Sequence, residues 1–162
     1  MYRFGQAAAA IGITEAALRN WMTRNTIDLW GERPAAGWRT FTKRDVLVLA
    51  LANEMVRYGA KVDHAVRAVQ FAMADAPGAD PYRLPAELYA VALPDGTWDL
   101  RGDEGAALAV AARPTLIKLF PTRIMAPVNH QLVKFDAEAE VAHMLRNASD
   151  PFKDIGVKGI DG

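Results

Sequence analysis

The 162-residue chain has no cysteine. Disulfides, thiolate metal sites and cysteine nucleophiles are thereby excluded, and the absence fits a reducing compartment. No apolar run approaches the roughly 18 residues that a membrane helix needs. The start, Met1-Tyr2-Arg3-Phe4-Gly5-Gln6, lacks the apolar core of a secretory signal. A soluble, cytoplasmic protein with no membrane contact is expected. Its three histidines, His64, His130 and His143, are scattered, without metal-ligand spacing. Gly156-x-x-Gly159-x-x-Gly162 sits in a tail, not between a strand and a helix, so it is no phosphate loop. There is no nucleophile elbow. Asp136, Glu138 and Glu140 do not share a helix face and read as surface acids. Neither an enzyme nor a bound cofactor or metal is expected.

Net charge is also missing, with 19 Lys and Arg against 19 Asp and Glu, but the two signs are not evenly spread. Residues 1–44 hold seven Lys and Arg against three Asp and Glu, a balance of +4. Residues 76–162 hold nine against twelve, a balance of −3. A basic N-terminal part suits a phosphate-bearing partner. Half the residues (51%) are apolar, enough to bury a core.

The stretch Ile11-Gly12-Ile13-Thr14-Glu15-Ala16-Ala17-Leu18-Arg19-Asn20-Trp21 carries the strongest local signal. Gly12 can take the positive φ that ends a helix over residues 4–10. Thr14 can cap a second helix over 15–24, and Glu15 suits its first turn. Ala17, Leu18 and Trp21 form an apolar stripe and leave Arg19 and Asn20 facing outward. Alone, such a stretch fits an ordinary αα-hairpin as well as a helix-turn-helix. Next come Thr26–Trp30, a Gly/Pro-marked tip over 31–37, and Trp38–Phe41, which together predict a two-stranded wing. Thr42 and Asp45 predict a capping box opening a buried helix over 43–58, which Gly59 ends. Val62, Ala65, Val66, Val69, Ala72 and Met73 predict an amphipathic helix over 61–75.

In this order, Leu18-Arg19-Asn20-Trp21, then Gly37-Trp38-Arg39-Thr40-Phe41, then Thr42-x-x-Asp45 resemble the MerR-type winged helix-turn-helix family over residues 2–75. Asn20 and Phe41 depart from that pattern, which has an aromatic residue at the first position and Tyr at the second. The family's long dimerising helix does not follow residue 75. Three prolines and a glycine within Ala76–Pro85 form a linker instead.

Beyond the linker, residues 86–149 predict a small α+β domain. Its parts are a strand over Glu87–Leu93, a turn at Asp95-Gly96, a return strand over Trp98–Leu100, a helix over 103–112 and a strand over Thr115–Phe120. A further strand over Leu132–Phe135 and a final helix capped by Asp136 complete it. Residues 150–162 predict a mobile tail. The fold class expected is mainly α with small β (α+β), an N-terminal winged helix-turn-helix followed by that domain.

The resemblance implies sequence-specific binding of double-stranded DNA by a bacterial or phage transcriptional regulator, associated with the nucleoid. Thr14, Glu15, Ala16, Arg19 and Asn20 would meet the major groove; Arg33, Arg39, Lys43 and Arg44 would meet phosphates. Thr14 fits a plain cap equally well, and Arg39 fits stacking on Trp38 or Trp30. Trp21 and Phe41 read as core. The C-terminal domain would form a homodimer, bind RNA polymerase or another protein, or sense a ligand. Two alternatives remain open: an excisionase or terminase small-subunit-like protein, and a protein-interaction adaptor.

Overall fold

Local punctuation sets the ends of the helices. The computed structural model describes residues 1–24, 27, 29, 39–74, 84–113 and 116–148. Within them, α1 (Phe4–Ile11) ends at Gly12, whose φ of 81° is the left-handed conformation expected of it. α2 (Glu15–Arg24) follows a two-residue turn and Thr14. Thr42 opens α3 (Lys43–Arg57) with the predicted reciprocal box. Its Oγ1 accepts from Asp45 N–H at 3.0 Å, and Asp45 Oδ2 accepts from Thr42 N–H at 2.7 Å. Gly59, at φ 97°, turns the chain into α4 (Val62–Ala74).

The core is centred on α3. Val46 to Ala52 and Met55 are buried, with Leu47, Leu49 and Leu51 wholly so. α1 packs on it through Phe4, Ala7, Ala8, Ala10 and Ile11, and its alanines allow close approach. α4 packs on α3 through Ala65, Val66, Val69 and Met73. A pair of backbone hydrogen bonds between Tyr2 and Phe41, at 2.8 and 2.9 Å, ties the N-terminus to the segment leading into α3.

A three-stranded antiparallel sheet follows, in the order β2-β1-β3: β1 is Leu88–Ala92, β2 Trp98–Arg101 and β3 Ile117–Leu119. Gly96, at φ 81°, closes the β1–β2 hairpin as Asp-Gly predicts. Asp95 Oδ1 accepts from Thr97 N–H at 2.9 Å and from its hydroxyl, which holds the carboxyl below its usual range. α5 (Glu104–Val110), capped by Asp103, lays Ala107 on Tyr89 and Val91. α4 also packs against β2, and His64 Nδ1 lies 3.1 Å from the Gly96 carbonyl. At the sheet's edge Lys118 Nζ lies 2.7 Å from Glu87, and the Tyr89 hydroxyl donates to the same carboxylate at 2.6 Å. These two partners hold the Glu87 carboxyl below its ordinary range, while Glu87 raises both Lys118 and Tyr89.

The C-terminal reading needs correction. Residues 132–135 are not a strand and Asp136 caps no helix, because both lie inside α6 (Pro121–Ala148), a 28-residue helix that runs through Pro127. The alternation of Leu132, Val133, Lys134 and Phe135 is overridden by Met125, Val128 and Leu132. These recur at i, i+3 and i+7 and are buried. The described chain divides into two compact units, Met1–Leu132 and Val133–Gly162. The second unit carries Val133, Val141, Met144 and Leu145 with half or more of their surface open. The wing tip, most of the linker and the tail after residue 148 lie outside the described residues.

Candidate nucleic-acid interface

α2 and the start of α1 form one surface. Thr14 Oγ1 accepts from Ala17 N–H at 3.1 Å, satisfying one unpaired donor of the first turn as predicted. Leu18 and Met22 anchor α2 to the core. Thr14, Glu15, Ala16 and Asn20 are exposed on its outer side.

Arg19 does not stand out in solvent as its outward reading expects. Its side chain is 38% exposed, and its guanidinium carbon lies 5.1 Å from the centre of the Phe4 ring. Its Nε donates to Glu15 Oε1 at 3.1 Å, and its Nη2 donates to the same oxygen. This is the favourable i, i+4 order, acid before base along the helix. Gly5 leaves room for the pair: a Cβ there would lie 3.1 Å from Glu15 Oε2. The Phe4 ring in turn meets the fully buried Phe41 edge-on, with centres 5.0 Å apart at 90°. α2, the first turn of α1 and the segment before α3 are therefore joined by one run of contacts.

An open cleft of about 690 Å³ lies against this run, lined by Arg3, Phe4, Gly5, Gln6, Glu15, Arg19, Arg39 and Thr40. Three arginines thus border one concavity. Arg3 was not singled out from the sequence. The signal for it is an exposed arginine directly before the first helix, where its N–H is taken by Gln6 Oε1 at 3.0 Å. The signal for Gly5 is a glycine in the first turn of an otherwise alanine-rich helix.

The other expected contacts divide in two. Lys43 is exposed at the first position of α3. Arg39 is buried and its Nη2 donates to the Leu29 carbonyl at 3.3 Å. Arg44 is half-buried, with Nη2 3.5 Å from the Met73 carbonyl at the end of α4, where a cation suits the helix dipole. Arg33, and the tryptophans Trp30 and Trp38 considered as stacking partners, lie outside the described residues. Phe41 is core as expected, and Trp21 is half-buried. Among the described residues, no three His, Asp or Glu side chains cluster so as to hold a metal ion, and no helix is long and apolar enough to cross a membrane.

Residues 2–71 match the family described as MerR HTH family regulatory protein. The match spans α1 to α3, the segment joining α2 to α3, and α4 as far as Phe71. No curated protein matches the chain.

Proposed function

We propose that the chain is a sequence-specific double-stranded DNA-binding protein that regulates transcription in the cytoplasm, at the nucleoid. α2 lies in the major groove with Thr14, Glu15, Ala16, Arg19 and Asn20 toward base edges. Lys43 grips flanking phosphate, Arg39 and Arg44 add to the positive field around it, and Arg33 is a further phosphate candidate by sequence. The observation that carries the reading is the start of α2. It is exposed, capped and packed onto α1 by its opposite face, beside a cleft bordered by three arginines. The matched family points the same way at the level of DNA-binding regulators.

Residues 86–149 serve assembly. The open face of α6 beyond Leu132, with Val133, Val141, Met144 and Leu145, supports a homodimer over the alternatives of polymerase or another protein. Beyond Leu132, Asp136, Glu138 and Glu140, with Lys134 beside Glu138, give an acidic balance first, and Arg146 lies toward the end. An antiparallel second copy would bring opposite charges together. Two copies would read two half-sites, so an inverted repeat is the expected operator.

The test is binding of the full chain to fluorescent duplexes from its own upstream region, across a salt series. Affinity that falls steeply with salt and survives competitor DNA supports the reading. Weak, salt-insensitive binding to every duplex would move the weight to a protein-interaction adaptor. Bending of the duplex together with capture of a recombinase or large terminase subunit would move it to the DNA-architecture alternative.

A further inference from the structure

Two opposite charges at the head of a groove-facing helix, locked to each other, pose a physical question. Glu15 and Arg19 sum to zero, so as a pair they add little to the attraction between the protein and a phosphate chain. A helix selected only to coat DNA would not carry a carboxylate beside its arginine, because the acid opposes the phosphates. The pair is nevertheless built with care. One carboxylate oxygen takes both Nε and Nη2 of Arg19, the guanidinium lies over Phe4, and the other carboxylate oxygen lies close over Gly5, 3.1 Å from where a Cβ would stand. Both side chains remain open to a ligand, at 38% and 45% exposure.

We infer that Glu15 and Arg19 act as one unit that reads a single G·C base pair in the major groove, Arg19 on the guanine and Glu15 on the cytosine. This rests on the DNA-binding reading above and names what the head of α2 selects. The chemistry is complementary. Guanine offers O6 and N7 as acceptors in the major groove, and its partner cytosine offers the N4 amine as a donor. Arg19 carries five donors in a planar fork, and Glu15 carries only acceptors. An A·T pair with adenine at Arg19 leaves the carboxylate facing the thymine oxygen, and the reversed pair gives the arginine fork one acceptor where guanine gives two. The pair rejects both arrangements as well as favouring G·C.

Packing adds to the selectivity. A free arginine loses rotamer freedom when it binds. Arg19 has already lost part of it to Glu15 and Phe4, so less is lost at the DNA. Glu15 is thus both a contact and the positioning residue for Arg19, and Phe4 is the floor on which the fork rests. The reach of the pair is short, so its influence should stay at one base-pair position.

The experiment is selection of bound duplexes from a pool of random 20-base-pair sequences by the full chain, for wild type, Arg19→Ala and Glu15→Gln, followed by sequencing. Wild type should enrich a motif with one invariant G·C pair in each half-site. In both variants that position should lose about tenfold to a hundredfold of its selectivity while the other positions keep theirs. A uniform loss across the motif would indicate a structural role and overturn the inference. So would an unchanged motif in Arg19→Ala, or a loss in Arg19→Ala that Glu15→Gln does not share. A wild type that enriches nothing would instead overturn the DNA-binding reading on which the inference stands. Far-ultraviolet circular dichroism on the exposed-site variants separates these outcomes from unfolding.

Discussion

α3 and the end of α6 are both helices, but they differ in how their apolar residues are used. α3 has Leu47, Leu49, Leu51 and Met55 wholly enclosed by its own unit. α6 past Leu132 leaves Val141, Met144 and Leu145 at 51%, 56% and 63% exposure. The first helix is complete within one chain. The second carries an open apolar face of the kind that marks an interaction surface. On the proposed reading the two regions divide the work: the first would fix a DNA-reading surface, and the second would determine how many such surfaces act together.

The largest effect belongs to the enclosed region. Phe41→Ala removes the ring that holds Phe4 edge-on. It should cost about 3–5 kcal/mol in chemical denaturation, as large aromatic truncations in a core do. A loss below about 1 kcal/mol would mean that the junction between α1 and α3 is looser than its burial implies. Thr42→Ala should cost about 1 kcal/mol by the same measurement, because it removes the side-chain half of the capping box. Met144→Glu should leave unfolding of the dilute protein within about 0.5 kcal/mol of wild type. The same change should abolish self-association in sedimentation equilibrium. A Met144→Glu protein that stays dimeric would place the assembly surface elsewhere.

The smallest effect is at the sheet. Because Lys118 and Tyr89 hold the Glu87 carboxyl below its unfolded value, its contribution to stability is complete above the ordinary carboxylate range. It is lost as pH falls through the lowered folded value. The Lys118 ammonium is raised by Glu87, so its share is lost only as pH climbs through a value above the ordinary lysine range. Glu87→Gln should therefore lower stability slightly at neutral pH and converge on wild type at acid pH, which flattens the acid side of a stability-against-pH curve. An unaltered acid limb would show that the Glu87–Lys118 pair is fully screened.

The same contrast governs what the sequence reveals. In α1 to α4 the ends are marked by local chemistry that needs no tertiary partner: Gly12 and Gly59 at positive φ, Thr14 as a cap, Thr42 and Asp45 as a box. These residues speak for themselves because each acts within four positions of its own backbone. Leu132 to Phe135 alternate like a strand only when read in isolation. The helical period becomes visible from Met125 through Val128 to Leu132, on both sides of Pro127, which reads as a break. A mid-helix proline normally costs about 3 kcal/mol, and here the buried stripe on either side of it overrides that signal. At the interface, the Glu15–Arg19 spacing is legible as an i, i+4 pair. The resting place of Arg19 on Phe4, fifteen positions away, is not, because only the fold brings the two together. Arg39 and Arg44 read as surface cations, yet each turns inward to a carbonyl that no local pattern announces.

The measurement that tests the central claim most directly is the salt dependence of duplex binding by the full chain, wild type beside Lys43→Ala. A DNA-binding surface with Lys43 on a phosphate predicts a steep linear fall of log affinity with log salt, and a slope shallower by about one in the variant. No binding to any duplex at low salt would contradict the account.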